Sequence, residues 1–298
     1  SLYQSLTIIL LFTLVPVYTA LGQQMVIKNT EPEKITEGYE FTEGPVWHSS
    51  GYLLFSDIPS NTIYKWVPGS GAEKYMEPSG HSNGLTFDKK GRLMLAQHDG
   101  AIAREEADGS IKTLTKQYNG KRLNSPNDLV ISSEGTIYFT DPPFGVKKEN
   151  KELDVHGVYS FTEEKGLELL VSDFDLPNGI VLSPDENKLY VNDSKHSHIR
   201  VFDIKEDGNI EKGKIFATME SEEKGAADGM KVDSKGNVYS TGPGGLWIFS
   251  PEGKLIQQVK TPRITNLAWG GKDYTTLFMT APNAVYKLEM KIKGYISY

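Results

Sequence analysis

The chain has 298 residues and a formal net charge of −7, with 32 basic and 39 acidic residues interleaved along it. It has no basic stripe of the kind that binds nucleic acid, so no nucleic-acid partner is expected. It also has no cysteine, which excludes disulfides, thiol nucleophiles and zinc–thiolate sites. Its 29 glycines and 15 prolines separate short apolar runs, a pattern typical of all-β proteins.

The first 22 residues are predicted to be a secretory signal peptide. Leu6 to Val17 form an uncharged run, shorter than the ~20 apolar residues that cross a bilayer, and small residues follow up to Gly22. An N-terminal membrane anchor is the alternative. We expect residues 1–22 to be removed, which leaves one domain over residues 23–298 without a stable membrane span. The predicted location is periplasmic or secreted.

A short phrase recurs along the rest of the chain, in which an acidic or amide residue precedes a β-type run. The six copies begin at Glu43, Asn83, Asn127, Asn178, Asp228 and Asn266. Their spacing lies between 38 residues (228 to 266) and 51 residues (127 to 178), which is the period of a repeated supersecondary unit. Each phrase leads into a polar turn, two further strands and, in most repeats, a fourth and more polar strand. Four antiparallel strands per repeat indicate the blade of a β-propeller.

Six repeats predict an all-β fold, a six-bladed β-propeller, with a seven-bladed or open array as the alternative. The sixth repeat ends after its third strand, near Met290, and Glu33-Lys-Ile-Thr-Glu37 has the composition of the missing outer strand. We therefore expect an N-terminal strand to close the last blade, because this pairs a β-edge that would otherwise stay open. Long helices are not expected, since no long segment has helical periodicity.

The polar residues that open the repeats are predicted to converge on the central channel, because symmetry brings them to one depth. Two carboxylates among amide oxygens would form a hard-oxygen cage suited to Ca²⁺, with Mn²⁺, Zn²⁺ or Mg²⁺ as alternatives. Asn-Gly and Asp-Gly also favour turns, and the turn interpretation is preferred for Asn83 and Asn266. It does not account for Glu43, and it is weak at Asn127, which Asp follows. The predicted metal ligands are Glu43, Asn127, Asn178 and Asp228.

Five motifs carry a family resemblance: Phe41-Thr-Glu-Gly-Pro-Val-Trp47, Asn124-Ser-Pro-Asn-Asp-Leu129, Tyr138-Phe-Thr-Asp-Pro-Pro-Phe-Gly145, Leu176-Pro-Asn-Gly179 and Asp228-Gly-Met230. They resemble the gluconolactonase, regucalcin and luciferin-regenerating-enzyme family from Glu33 onward. The resemblance implies a six-bladed propeller that hydrolyses lactones with a catalytic divalent ion in its channel. By position, it places Glu43, Asn178 and Asp228 on the metal ligands, and Asn127 on an amide that contacts substrate or completes the metal shell.

Arg122, Asn127 and Asn83 are the candidate substrate contacts. Regucalcin-like members of the family have an arginine two residues before the asparagine that corresponds to Asn127, where this chain has Ser125. Arg122 is nearby but out of register. A strict regucalcin-like sugar preference is therefore not expected.

The predicted reaction is the opening of a lactone ring by water that the metal activates. Asp228 is the first candidate for the base, with a purely structural ligand as its alternative role. His98 resembles in position a channel histidine of the distantly similar paraoxonases. The partner of that histidine aligns with Asn83 here, so a structural or substrate-contacting role is preferred for His98 over a catalytic one.

Two other functions remain as alternatives to a lactonase. One is phosphotriester hydrolysis with the same ion, and the other is a non-catalytic propeller that binds calcium or a ligand. Gly80-His-Ser-Asn-Gly84 matches the nucleophile elbow of serine hydrolases, but a β-run follows it instead of a helix, so a Ser82 nucleophile is not expected. Asp57, Asp141 and Asp193 follow the second strands of three repeats and are expected to cap loop amides.

Overall fold

A computed structural model describes residues 26–28 and 31–298 of the chain. The predicted signal peptide lies outside the described residues. Within the described part the structure is almost entirely β, and its single helical element is a 3₁₀ turn at Lys148–Asn150. No helix in this part of the chain is long and apolar enough to cross a membrane.

The strands form six four-stranded blades and one short hairpin. The first strand, β1 (Glu33–Glu37), belongs to the last blade. Blade 1 consists of β2 (Thr42–His48), β3 (Tyr52–Asp57), β4 (Thr62–Val67) and β5 (Gly71–Met76). Blade 2 consists of β6 (Ser82–Phe87), β7 (Leu93–Gln97), β8 (Ala101–Glu105) and β9 (Ile111–Thr115). The hairpin β10 (Gln117–Tyr118) and β11 (Lys121–Arg122) leads into blade 3, which consists of β12 (Leu129–Ile131), β13 (Ile137–Asp141), β14 (Gly157–Thr162) and β15 (Gly166–Val171).

The second half of the ring repeats the same plan. Blade 4 consists of β16 (Pro177–Leu182), β17 (Lys188–Asp193), β18 (His198–Asp203) and β19 (Lys214–Thr218). Blade 5 consists of β20 (Met230–Val232), β21 (Val238–Gly242), β22 (Gly245–Phe249) and β23 (Leu255–Lys260). Blade 6 consists of β24 (Asn266–Gly270), β25 (Thr276–Thr280), β26 (Ala284–Glu289) and β1. The prediction of six antiparallel blades is confirmed.

The N-terminal strand closes the ring, as predicted. β1 pairs antiparallel with β26, with Glu37 opposite Ala284 and Glu33 opposite Lys287. Ile27, further upstream, forms a bridge with Met290 just beyond the same blade. Blade 6 thus combines strands from both ends of the described chain, which pairs the edge that three strands would leave open.

The first strand of each blade lies on the inside of the ring. β2 contacts β6 and β24, β12 contacts β6 and β16, and β20 contacts β16 and β24, so the six inner strands form a closed circle. The inner strand β2 is buried over nearly its whole length, whereas the fourth strand β5 is mostly exposed. Residues that begin the inner strands are therefore brought together at the axis.

Neighbouring blades are held together by apolar side chains between their faces. One cluster joins Val46 and Leu54 of blade 1 to Leu85 and Leu95 of blade 2. Between blades 1 and 6, Trp47 stacks on Phe278 with ring centroids 5.1 Å apart. Full burial of one large apolar side chain contributes ~1.5–3 kcal/mol to the stability of the fold. The described residues form six apolar clusters of this kind, which fix the blades around the axis.

The C-terminal tail closes one end of the channel. Residues 295–298 and all six inner strands enclose a cavity of about 50 Å³. The Tyr295 N–H donates to the Val232 carbonyl (3.1 Å), and the Tyr298 hydroxyl donates to the Trp47 carbonyl (2.9 Å). The lining residues of the inner strands follow the polar residues that open those strands, so the tail lies at the far end of the channel from the polar ring.

Candidate active site

Three aspartates at the ends of second strands hold the loops that lead into the inner strands. Each carboxylate accepts a backbone N–H from the loop that precedes the inner strand of its own blade. The bonds run from Phe41 N to Asp57 Oδ1 (2.9 Å), from Asn124 N to Asp141 Oδ2 (2.8 Å) and from Leu176 N to Asp193 Oδ2 (3.2 Å). The prediction that these aspartates cap loop amides is confirmed, and the bonds fix where each inner strand begins.

Glu43 and Asp228, which belong to blades 1 and 5, meet in the channel and are hydrogen-bonded to each other. Glu43 is only 2% exposed, while Asp228 keeps some contact with solvent. Burial, followed by the charge of Asp128, raises the pKa of Glu43 to about 7. Burial, followed by the charge of Glu43, raises the pKa of Asp228 well above its usual range. Two carboxylates in contact are stable together when they share a proton or a cation.

A third carboxylate, Asp128, lies in the same cluster. The sequence pattern did not predict it, because the repeated phrase points to its neighbour Asn127. Asp128 is 2% exposed, and burial raises its pKa. The Asn266 side-chain amide donates to Glu43 Oε2 at 2.9 Å and to Asp128 Oδ2 at 3.3 Å. One amide thus joins two of the three acids.

The glycines that follow most of the polar residues mark close contacts between inner strands. A Cβ atom at Gly44 would lie 1.7 Å from the Asn83 carbonyl oxygen, and one at Gly179 would lie 2.1 Å from the Asp228 carbonyl oxygen. Asn83 is the second residue of β6, and Asn266 is the first residue of β24. The glycines are required because the axis is crowded. In repeat 3 this position is occupied by Asp128 instead of glycine. The acidic residue at a glycine position was the sequence signal that could have identified Asp128 as part of the site.

Several amide oxygens at the ring are buried without a hydrogen-bond partner. Among the described residues these include Asn83 Oδ1, Asn127 Oδ1 and Asn178 Oδ1. The Asn178 side-chain N–H donates to Ser194 Oγ (3.0 Å), which leaves the amide oxygen as the free atom. An unpaired buried carbonyl costs ~1–3 kcal/mol, so these atoms indicate a ligand that they would bind.

The donor set fits a hard divalent cation. Carboxylate oxygens of Glu43 and Asp228 and unpaired amide oxygens of Asn127 and Asn178 are ligands of the type that Ca²⁺ and Mg²⁺ prefer. Over residues 26–28 and 31–298, no group of three or more His, Asp or Glu side chains is arranged to hold a metal. A cation at this position would therefore depend on the amide oxygens as well as on the two acids.

His98 lies beside this ring and contacts Asn83. Its Nε2 is 3.1 Å from the Asn83 Nδ2, and the side chain is 8% exposed. Burial lowers the pKa of His98 to about 4, so the imidazole is neutral at pH 7 and its Nε2 can accept the amide N–H. A Cβ at Gly145 would lie 2.6 Å from the His98 ring, which shows that the following loop packs against it. This environment holds Asn83 in one orientation.

Arg122 is occupied within its own loop. Its Nη1 donates to the carbonyls of Leu123 (2.6 Å) and Asn124 (2.5 Å). Ser125, which stands where the family has an arginine, is buried and donates to the Pro142 carbonyl (2.5 Å). Both side chains bond to the entrance loop of blade 3, and within the described residues neither is hydrogen-bonded to Glu43, Asp128 or Asp228.

The serine of the elbow-like motif lies in a strand. Ser82 belongs to β6, is fully buried, and its hydroxyl is 2.9 Å from the Ser56 hydroxyl. A nucleophile elbow requires a helix directly after the serine, and here the chain continues as strand β6 instead. The structure therefore agrees with the prediction that Ser82 is not a nucleophile.

Known proteins similar to this chain agree with the motifs in its sequence. A gluconolactonase from Zymomonas mobilis is 34% identical over 297 residues, which cover 89% of this chain and 83% of that protein. A regucalcin from Xenopus laevis is 26% identical and covers 83% of this chain and 85% of its own length. A diisopropyl-fluorophosphatase from Loligo vulgaris is 25% identical, with 89% of this chain and 94% of that protein covered.

A solved structure shows the same architecture. The gluconolactonase XC5397 from Xanthomonas campestris superposes with a TM-score of 0.79 at 28% identity, covering 89% of this chain and 97% of that one. The profile described as the SMP-30/Gluconolactonase/LRE-like region matches residues 41–283, which include all six phrases of the repeat. The chain therefore belongs to the SMP-30/Gluconolactonase/LRE-like family of gluconolactonase-like lactone hydrolases.

Proposed function

We propose that this protein is a lactone hydrolase that depends on a divalent cation, preferably Ca²⁺, held in the central channel. The observation that carries the proposal is the contact between Glu43 and Asp228 at the mouth of a channel whose neighbouring amide oxygens have no partner. Sequence similarity to a gluconolactonase supports the choice of lactones as substrates.

The residues that would hold the cation are Glu43, Asn127, Asn178 and Asp228. This set contains only oxygen donors, which favours Ca²⁺, Mg²⁺ or Mn²⁺ over ions that prefer nitrogen or sulfur. When bound, the cation supplies Lewis acidity to the lactone carbonyl and acidifies a water molecule. Glu43 is oriented for this role by the amide of Asn266.

The protein itself positions the substrate and moves the proton. Asp228 is the carboxylate of the pair that keeps solvent contact, so we assign to it the proton removed from the attacking water. The water oxygen forms a bond to the carbonyl carbon, the ring C–O bond breaks, and the proton passes from Asp228 to the leaving alkoxide. The product is the open hydroxy acid. Asn83, held by His98, is placed to donate or accept a hydrogen bond with the substrate.

An assay of chelator-treated and reconstituted protein tests this proposal. Aldonolactones and acyl-substituted lactones are the substrates, and Ca²⁺, Mg²⁺, Mn²⁺ and Zn²⁺ are added back separately. We expect activity to be lost in chelator, restored by a hard divalent ion, and lowered at least 10²-fold in kcat by Glu43→Gln or Asp228→Asn, because the ligand and the proton acceptor are removed. Ser82→Ala is the matched control and keeps its activity.

The opposite results would identify another function. Full activity in chelator or in Asp228→Asn would exclude the proposed mechanism. Hydrolysis of no lactone, with Ca²⁺ binding retained, would favour a non-catalytic binding propeller.

Phosphotriester hydrolysis is the second candidate function. The observation that favours it is the similarity to a diisopropyl-fluorophosphatase over 89% of this chain. A cation held by the same oxygen ligands would polarise a phosphoryl oxygen as well as a lactone carbonyl. Adding a fluorophosphate and a phosphotriester to the substrate panel separates the two candidates by their kcat/KM values.

The periplasmic or secreted location stays a prediction that depends on residues 1–22. N-terminal sequencing of the protein purified from its host tests it. A mature chain that begins near residue 23 would support signal-peptide cleavage, and a chain that retains residues 6–17 would support the anchor.

A further inference from the structure

Arg263 is an exposed cation at the entrance of the channel. It lies in the loop between β23 and β24, three residues before Asn266. Its guanidinium carbon stands over the ring of Phe41, 5.7 Å from the ring centroid. In the described part of the chain it has no hydrogen bond or ion pair, so its N–H donors face solvent.

The loop of Arg263 is tied to the strand that carries Glu43. Thr265, two residues after Arg263, donates from its hydroxyl to the Thr42 carbonyl at 2.7 Å. Thr42 directly precedes Glu43, and Phe41 directly precedes Thr42. The stacking of Arg263 on Phe41 therefore places the guanidinium on the Glu43 side of the entrance.

The same loop is also tied to the residues that carry Asp228. The N–H of Gly229, the residue after Asp228, donates to the Thr265 carbonyl at 2.8 Å. Gly229 directly follows Asp228, so this bond fixes the loop of Arg263 next to the residue that carries that carboxylate. Arg263 is thus held between the loops of the two acids that we assign to the reaction.

None of the other candidate substrate contacts offers a free positive charge to an anionic group. The guanidinium of Arg122 donates from Nη1 to two backbone carbonyls of its own loop, and the Ser125 hydroxyl donates to a third carbonyl. Asn83 and Asn127 are neutral and buried. An anionic substrate approaching a protein of net charge −7 and a cluster of three acids would need a fixed positive charge at the entrance, and Arg263 is placed to supply it.

We propose that Arg263 selects lactones that carry a carboxylate or phosphate group on the ring, and that it binds this group while the lactone carbonyl points into the channel. The proposal rests on the lactonase function proposed above. A guanidinium that is already oriented by an aromatic ring binds such a group with two parallel hydrogen bonds, which an ammonium does not reproduce. Phe41 therefore acts as a positioning residue for Arg263.

Paired substrates test the proposal. The kcat/KM is measured for a neutral aldonolactone, for its ring carboxylate analogue and for its phosphate ester, in wild type, Arg263→Met, Arg263→Lys and Phe41→Leu. We expect Arg263→Met to lower kcat/KM for one or both anionic lactones by about 10- to 100-fold, chiefly by raising KM. A loss of this size corresponds to the removal of a hydrogen bond between charged groups. The loss for the neutral lactone is expected to be below about 3-fold.

The other variants define the origin of the effect. Selectivity is the ratio of kcat/KM for an anionic lactone to that for the neutral one. Arg263→Lys should recover less than half of the selectivity that Arg263→Met loses, on a logarithmic scale. Phe41→Leu should raise KM for anionic lactones only. Lys260→Met is the matched control, because Lys260 is an exposed cation of the neighbouring strand end that pairs with Glu223 (3.3 Å). It should leave every kcat/KM value unchanged. The carboxylate and phosphate substrates tell which anionic group the site prefers.

Two failures can be told apart. Equal losses for neutral and anionic lactones in Arg263→Met, or no loss at all, would overturn the role of Arg263 while the lactonase function stands. If no lactone is hydrolysed, calorimetry with the open carboxylate- and phosphate-bearing hydroxy acids decides the matter. Binding to wild type that weakens about 10-fold in Arg263→Met would support the anion site without the reaction, and equal binding would overturn it.

Discussion

The side-chain amide of Asn266 donates to Glu43 Oε2 at 2.9 Å although 223 residues separate the two positions. Asn266 opens the inner strand of blade 6, and Glu43 lies in the inner strand of blade 1. The bond therefore crosses the closure of the ring. It also orients a carboxylate that we assign to the metal, so the stability of the closure and the geometry of the site depend on the same amide.

Replacing Asn266 by alanine should affect both properties at once. The change leaves Glu43 and Asp128 without their shared donor, and an unpaired buried group costs ~1–3 kcal/mol. We expect the free energy of unfolding to fall by that amount and Ca²⁺ affinity to weaken. Urea unfolding and calorimetry measure the two effects. Asn209→Ala, an exposed asparagine that bonds to Asp207, should change stability by less than ~0.5 kcal/mol. Comparable effects in both variants would argue against the coupling.

The contact between Glu43 and Asp228 predicts opposite effects of one substitution with and without metal. In chelator, Asp228→Asn removes one of two carboxylates that face each other, so the variant should be at least as stable as wild type. In Ca²⁺ at 100 times its Kd, wild type should gain ~2.7 kcal/mol and the variant should gain little. Thermal unfolding in both conditions provides the measurement.

A surface acid serves as the control for that experiment. Asp99 has a side chain that is 59% exposed and bonds to His81. Asp99→Asn should keep the full Ca²⁺-dependent increase in Tm. A large loss of the increase in Asp99→Asn, or an unchanged increase in Asp228→Asn, would contradict the assignment of the site.

The fold was predictable because its signals are local and repeated. Each repeat carries its own strand pattern, and most repeats carry a turn glycine. The sixth repeat has three strands, so Glu33–Glu37 could be assigned to the last blade by counting. The axial position of Glu43 and Asp228 followed from the symmetry of the repeats. These inferences needed no knowledge of how individual side chains pack.

Features of the site that depend on packing at the axis or in loops were not predictable. Asp128 stands where four other repeats have glycine, and only the distances between inner strands show that its carboxylate reaches Asn266. Arg122 looked available in the sequence, yet its guanidinium bonds to the backbone of its own loop. Arg263 lies in a loop without a repeated pattern, and its position over Phe41 depends on the loop conformation.

The buried imidazole of His98 predicts a pH dependence of stability. Burial lowers its pKa to about 4 in the folded chain, whereas the unfolded chain has an ordinary value of about 6.5. Between these values the unfolded state binds more protons, so the contribution of His98 to stability is complete above pH 6.5 and is lost as pH falls toward 4. A full slope corresponds to 1.36 kcal/mol per pH unit, and the unfolded histidine is half protonated at pH 6.5, so the loss between pH 6.5 and pH 5 is about 1.6 kcal/mol.

Comparison with His98→Gln isolates this effect. The variant lacks the titrating group, so the stability difference between wild type and variant should become smaller by about 1.6 kcal/mol from pH 6.5 to pH 5. A pH-independent difference for His98→Gln would mean that the imidazole is not buried as neutral base. Activity at pH 7 should depend on the hydrogen bond to Asn83 and not on a charged imidazole.

The crowded axis predicts that small additions there are harmful. A Cβ at Gly229 would lie 1.9 Å from Asn266 Oδ1, and one at Gly179 would lie 2.1 Å from the Asp228 carbonyl oxygen. Because both contacts join neighbouring inner strands, Gly179→Ala or Gly229→Ala should lower the free energy of unfolding by ~1–3 kcal/mol or more, measured by urea unfolding in chelator. Gly69→Ala is the control, since Gly69 has a φ of +79° but no atom near its Cβ, and it should cost only the backbone strain, about 1 kcal/mol. Equal losses in all three variants would show that backbone conformation, and not the contact between inner strands, requires glycine at the axis.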